Sequence, residues 1–298
     1  MPIPDPPPVN DPAHSRQLAS VDTFLGSIKL PVRTALIGEI LQEAARSEPS
    51  FDKILIKVTE DKPLTQRLVS LANSAWFAAH VKVDTAAGAF SRMGLEGFTL
   101  VAVSSVARQA MHEVSDTLWA HLEFTAQFAE LFAEKVAPDL ARQAYWTGLF
   151  HDFAVPFMAK HLADYAYWAE NAQGFDHEVI EAEQECYGFD HAEVGGQLAR
   201  AWGLGDDIAG AIEDHHRSWH LTEGLSKNGS KLAALLVIAE RAAAVSHAPG
   251  RSPKEIPFEP VLLKEVAAVL EIPSGTLADE IREMLALTKI RAGQPTGH

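Results

Sequence analysis

From Ile28 to about residue 290, apolar residues return every three or four positions, and nowhere do they alternate with polar ones over the length of a strand. That period gathers side chains on one face of an α-helix, whereas a half-buried strand needs a period of two. After Pro31 the stripe is Ala35, Ile37, Ile40, Leu41 and Ala44. After Ser50, a capping residue by type, it is Phe51, Ile54, Leu55 and Val58. Pro63 stands at the first turn of a helix bearing Leu64, Leu68, Val69 and Leu71, where its missing N–H costs nothing. Helices are expected over 86–95 and 96–112. A long one follows over 116–137, with Ala126, Phe128, Leu131, Phe132 and Val136 on its apolar face. The stripe of Leu64, Leu68 and Leu71 is expected to bury against the helix carrying Val101 and Val106. No Asn-Gly or Asp-Gly hairpin lies between β-branched runs. The fold class is all-α.

The second half continues the period. A helix over 139–152 carries Ala144, Trp146, Leu149 and Phe150, and one over 176–187 ends at Gly188, the residue type that closes helices in the left-handed region. Asp190-His191-Ala192-Glu193 is a variant capping box that opens a helix ending at Trp202-Gly203. A short helix runs from Asp206 to His215. A loop containing Gly224, Asn228, Gly229 and Ser230 then precedes a helix over Lys231–Val245. Residues 248–257, with Pro249, Gly250, Ser252, Pro253 and Pro257, make a linker. A helical tail over 258–290 carries Leu262, Val266, Val269 and Leu270 and then, after Ser274 as cap, Leu277, Ile281 and Leu285. Residues 1–20, rich in Pro, Asp and Asn, form a flexible leader.

Charge and cysteine content narrow the function. Lys and Arg total 25 against 40 Asp and Glu, a net charge of −15, and no basic stripe offsets it, so duplex nucleic acid is excluded as a direct ligand. The single cysteine, Cys186, excludes an intramolecular disulfide and a thiolate zinc cage, and no cation adjoins it in sequence to activate it. The run Leu232–Ala239 stops at Glu240, far short of the roughly 18 residues of a membrane span, and no basic start precedes an apolar signal core. The expected compartment is the cytoplasm.

Several separated motifs share an order with one known family. Leu30-Pro31, Leu71-Ala72-Asn73-Ser74-Ala75-Trp76-Phe77, Arg92-Met93-Gly94-Leu95 and Thr147-Gly148-Leu149-Phe150-His151-Asp152 come first. Gly188-Phe189-Asp190-His191-Ala192-Glu193-Val194-Gly195, Trp202-Gly203-Leu204 and His215-His216 follow. Over residues 22–247 the chain resembles the HDOD (HD-related output domain) family of bacterial signalling proteins. The resemblance implies a two-lobed helical fold: an N-terminal lobe over 22–112, and a lobe over 113–247 related to HD phosphohydrolases. It also implies regulatory output, in many members without catalysis, through a signalling protein partner or a small signal.

The same resemblance implies a place for chemistry. HD phosphohydrolases gather imidazole and carboxylate ligands around one or two divalent metals, which polarise phosphate and acidify bound water. In HD order this chain offers His121, His151, Asp152, His191, His215 with His216, and Glu240; such a mixed set suits iron, manganese or zinc. Three departures weigh against catalysis. Phe153-Ala154-Val155-Pro156 replace the usual glycine turn and lysine, Glu240 stands where Asp is usual, and Arg217-Ser218-Trp219-His220 replace the Gly-Tyr-Pro of cyclic-di-GMP phosphodiesterases.

Plainer readings stay open for each residue. Asp152 could merely orient a buried His151, His121 could be a packing histidine, and the capping box alone could explain Asp190 and His191. The pair His215-His216 could sit as imidazolium on a helix dipole. Asn73-Ser74 is expected to end a helix, and Trp76, Phe77, Trp119, Trp146 and Trp202 to fill cores. The favoured function is a non-catalytic regulatory module; the alternative is a metal-dependent phosphohydrolase acting on a nucleotide or cyclic dinucleotide. A third reading is a scaffold whose tail helices drive homo-oligomerisation.

Overall fold

The helical period is realised throughout: in a computed structural model that describes residues 20–27, 32–73, 82–110, 116–162, 165, 177–216, 224–247 and 260–293, no described residue lies in a strand. Residues 1–19 of the leader, Leu30-Pro31, Ser74-Ala75-Trp76-Phe77, Arg217–His220, the linker 248–257 and the side chain of Leu71 lie outside the described residues. The helices are α1 (Val21–Ser27), α2 (Val32–Ala44), α3 (Phe51–Glu60), α4 (Lys62–Ala72), α5 (Ala86–Ala110), α6 (Asp116–Val136), α7 (Ala141–Phe150), α8 (Val155–His161), α9 (His177–Tyr187), α10 (His191–Ala201), α11 (Asp206–Glu213), α12 (Lys227–His247), α13 (Pro260–Val269) and α14 (Ser274–Gly293). They fall into two compact units.

One unit comprises α2 to α5 together with Ala201–Leu204. Ile37, Ile40, Ile54, Val58, Leu64, Leu68, Phe98, Val103 and Val106 are buried in it, so the stripes of α2, α3 and α4 meet α5 as their spacing predicts; Val101 is only half-buried. Ser50 precedes α3 without a side-chain cap; its N–H instead donates to Glu43, 3.0 Å away. The capping carboxylate belongs to the next helix, where Asp61 accepts the Leu64 N–H at 3.0 Å. The two helices expected over 86–112 are continuous but kinked at Gly94, whose φ of 70° and ψ of 178° only glycine adopts without strain. Asn73 brackets the backbone of Val83, donating to its carbonyl at 2.7 Å and accepting its N–H at 2.9 Å. Arg92, from the Arg-Met-Gly-Leu motif, donates to the same Asn73 oxygen and to the Ala72 carbonyl. These motif residues therefore tie the end of α4 to Val83 and to α5.

The second unit holds α1, α6 to most of α10, and α11 to α14. Helices α6 and α7 fold back on each other across a 3-10 turn at Pro138–Leu140, and α12 packs on both. Their approach is close because Gly148 has no side chain: a Cβ there would lie 2.7–2.9 Å from the backbone of Thr125 and Ala126. Trp119 and Trp146 are buried in this unit, as Trp202 is in the other.

At three of the boundaries that differ from expectation the reason is local. Helix α12 begins at Lys227, taking in Asn228, Gly229 and Ser230, because Ser226 caps it by accepting the Gly229 N–H at 3.0 Å. Helix α11 stops at Glu213, which releases His215 and His216 from helical register. Ser274 is the first residue of α14 rather than its cap. The tail stripe is spent inside the chain. Leu262, Val266, Leu270, Leu277, Ile281 and Leu285 are buried, α14 lies on α6 and α12, and Lys135 reaches Glu283 at 2.9 Å.

Candidate metal centre

A short apolar turn fixes the centre of the site. The chain leaves α7 at His151, and Pro156 starts α8 within its first turn, so the intervening residues have no room to swing out. Phe153, Ala154 and Val155 are buried, and His151 and Asp152 are fully inaccessible between them and α7. His121 comes from α6 and Glu240 from α12. His191 is the first residue of α10, placed by Asp190, whose carboxylate accepts the Glu193 N–H at 2.8 Å. His215 and His216 follow α11. All six residues that the sequence offers, with His216, converge.

Asp152 is the hub. Its Oδ2 lies 3.2 Å from His151 Nε2 and 3.7 Å from His121 Nε2. Its Oδ1 lies 3.3 Å from His191 Nε2 and 3.5 Å from His215 Nε2. Two imidazole pairs face each other, His121 with His151 and His191 with His216, each at 3.1 Å between Nε2 atoms. Glu240 Oε1 stands 3.7 Å from His151 Nε2 and 4.0 Å from His215 Nε2. The extra methylene of Glu over Asp thus does not keep this carboxylate out. The donors sort into two groups with mutual distances within 4.8 Å: Asp152, His191, His215 and His216, and then His121, His151 and Glu240.

The histidines are aimed from behind. His151 Nδ1–H donates to the Gly148 carbonyl at 2.8 Å and His215 Nδ1–H to the Ile212 carbonyl at 2.5 Å. His191 Nδ1 meets both oxygens of Glu183 at 3.0 and 2.8 Å, and its backbone N–H donates to the same carboxylate at 2.8 Å. Glu183 is held in turn by the Tyr165 hydroxyl at 2.6 Å. A proton fixed on Nδ1 leaves the Nε2 lone pair facing inward, as metal-binding histidines require.

Burial and mutual charge set the protonation of this cluster. Neither Asp152 oxygen nor His215 Nε2 has a partner in hydrogen-bonding geometry, although all three are buried. Burial opposes the charge on Asp152, but His151, then His191 and His215, outweigh it and hold the carboxyl well below the usual range. Burial likewise opposes charge on His191, and Glu183 with Asp152 reverses this, holding the imidazolium well above the ordinary histidine value. His151 is raised against its own burial by Asp152. His216 is driven the other way by burial and by the neighbouring His215 and His191, and burial raises Glu240. Buried acceptors left unpaired call for a cation, which imidazolium protons or a bound metal would supply. Oxygen and imidazole donors of this kind fit a divalent transition metal.

Two participants escape a sequence reading: Glu183 and Tyr165. Glu183 did carry a signal, since it falls on the stripe of Val179, Ile180 and Tyr187, where an acid has no reason to be unless it is paired. The capping box does explain Asp190, while His191 also enters the cluster, and His215 and His216 face inward instead of lying on an exposed helix end.

A family model, the HDOD domain, matches residues 30–218. An uncharacterised protein of Treponema pallidum (strain Nichols) is 24% identical over 205 residues, 65% of this chain; the match spans 39% of that relative's length. The crystal structure of a proposed phosphohydrolase from Shewanella amazonensis SB2B superposes with a TM-score of 0.64 at 22% identity, covering 93% of this chain and 98% of the other. A proposed signal transduction protein from Marinobacter aquaeolei VT8 gives 0.65 at 19% identity, over 91% of this chain and 59% of that one. These two share the fold with this chain.

Proposed function

From the premise that this chain belongs to the HDOD domain family, we propose that it is a regulatory module of signal transduction whose HD-type pocket holds a divalent metal, iron, manganese or zinc. It acts by binding a signalling protein or a small signal. The observation that carries the metal is Asp152: buried, charged, central to the imidazoles, and without a hydrogen-bond partner on either oxygen. The residues that would hold the ion are His121, His151, Asp152, His191, His215, His216 and Glu240. Bound there, a divalent ion supplies Lewis acidity toward a phosphate oxygen or a water.

The protein's own contribution is positioning and exclusion. Gly148, Ile212 and Glu183 fix the imidazole tautomers. Phe153, Ala154 and Val155 pack an apolar floor where related hydrolases carry a glycine turn and lysine, so no cationic side chain follows Asp152 to meet a leaving group. That floor supports regulation over turnover. The second reading, a metal-dependent phosphohydrolase of nucleotides or cyclic dinucleotides, is favoured by the completeness of the donor set.

Elemental analysis of chain purified without chelator, with a His151→Ala, Asp152→Ala double variant beside it, tests the metal. Stoichiometric metal that vanishes in the variant is expected, and its absence from the wild type refutes the centre. Incubating the loaded protein with cyclic dinucleotides and nucleotide phosphates separates the two readings. No product is expected; turnover at a physiological rate replaces regulation with hydrolysis.

A further inference from the structure

The support behind His191 begins far from it in sequence, in α1. This helix is seven residues long, below the length at which a helix persists in water unaided. Ser20 caps it by accepting the Thr23 N–H at 3.2 Å, and Phe24 alone among its residues is buried. Val21 and Leu25 are half-buried, and the others lie in solvent. Helix α1 belongs to the unit that holds the histidine cluster, and the chain leaves that unit after Lys29. It can therefore come away without rethreading any other element. A short helix held by one side chain belongs to the low-stability end of a structure, which opens while the core stays folded.

Phe24 starts a row of buried rings that ends behind His191. Its ring centroid lies 5.1 Å from that of Phe189; Phe189 lies 6.4 Å from Tyr187, and Tyr187 6.0 Å from Tyr165, all within the range of aromatic contact. Tyr165 donates its hydroxyl to Glu183 at 2.6 Å. Glu183 in turn accepts the His191 backbone N–H at 2.8 Å and its Nδ1–H. We infer that α1 is a releasable latch on this row: seated, Phe24 holds Phe189, Tyr187 and Tyr165 in place behind Glu183 and so fixes His191, and released, it loosens His191 as a donor. The physical reason is close packing, since a ring withdrawn from a buried row leaves a gap that its neighbours close only by moving. Phe24 and Tyr165 are thus positioning residues. The inference rests on the metal reading above and adds a means of regulation to it.

Hydrogen exchange of the full, chelator-stripped chain tests the latch, with the α1 amides and the His191 amide as reporters. In the wild type, α1 should exchange in the native state while α6 and α7 stay protected. Phe24→Ala should abolish protection in α1 and weaken it at the His191 amide, with α6 and α7 unchanged. Gly26→Ala works the other way without emptying the core, because a Cβ there meets nothing within 4 Å. By favouring the helix it should slow exchange in α1 and at His191 together, by about two- to fivefold. Zinc affinity, measured by competition with a chelator, should fall about tenfold in Phe24→Ala and in Tyr165→Phe, the lower end for loss of support behind a metal ligand. The double variant should fall no further, because both changes act through one row.

Exchange of α1 only together with α6 and α7, or a Phe24→Ala chain in which those helices also lose protection, makes Phe24 part of the common core and overturns the latch. A His191 amide indifferent to Phe24→Ala, or unmoved where Gly26→Ala slows α1, overturns the coupling. A double variant weaker for zinc by about a hundredfold overturns the shared route through Tyr165. Zinc absent from the wild type refutes the metal reading, while the exchange measurement needs no metal and decides the latch by itself.

Discussion

At Asp152 and its neighbours, protonation is expected to give the metal-free protein and a metal-loaded one opposite responses to pH. Without metal, burial works against the imidazolium of His191, yet Glu183 and Asp152 hold its pKa well above the ordinary value, and Asp152 raises that of His151. Between about 6.5, the unfolded histidine value, and those raised values, the native state binds more protons than the unfolded one. The stability these charges contribute is therefore present near pH 6.5 and is lost as pH rises through the folded pKa values. Below about 6.5, His216, kept neutral by burial and its histidine neighbours, reverses the trend. Metal loading requires imidazoles that have shed their protons, so binding strengthens with pH. Thermal melts of the chelator-stripped protein should fall between pH 6.5 and 8.5 while those of the metal-loaded protein rise or hold level; parallel curves would contradict the linkage.

Among the elements, the pairing of α6 with α7 sets the geometry on which the site depends. Alanine in place of glycine in a helix interior ordinarily gains up to about 1 kcal/mol. At Gly148 the new Cβ would meet backbone atoms of Thr125 and Ala126 at 2.7–2.9 Å, and neither can yield as a side-chain tip would. Overpacking of this kind costs about 1–3 kcal/mol, so the clash wins. The same shift would move the Gly148 carbonyl that orients His151. Gly148→Ala should therefore lower both the melting temperature and the metal content, measured by calorimetry and elemental analysis. An equal or higher melting temperature would show that the helices can separate freely. Elements were legible in the sequence wherever the deciding contacts are local. The stripes of α2, α3 and α4, the capping of α10 by Asp190 and the turn after α9 at Gly188, with φ 80°, all follow from neighbours within four positions. The start of α12 was not legible, because an Asn228-Gly229-Ser230 stretch that reads as loop is overruled by one capping hydroxyl at Ser226.

Across the whole molecule, the C-terminal helices lie beyond the matched residues 30–218 yet share a core with α6 and α12. Leu277, Ile281 and Leu285 are fully inaccessible, and each such side chain contributes roughly 1.5–3 kcal/mol by burial. A chain ending after His247 should therefore lose more than about 5 °C in melting temperature and expose apolar surface. Size-exclusion chromatography beside calorimetry distinguishes this from an oligomerisation device. A clean halving of mass with an unchanged melt would return the tail to that role.

The sequence by itself determined the helices, their apolar faces, the absence of thiolate chemistry and the family order of the histidines, because each depends on spacing along the chain or on residue type. Only the tertiary structure decided that six side chains from α6, α10, α12 and the turns after α7 and α11 meet around the Asp152 carboxylate. The bracing of His191 by Glu183 and Tyr165 came from the same source. Proximity between residues 30 or more positions apart depends on how helices pack, and packing is set by the volume and shape of every neighbour at once, which no local pattern encodes.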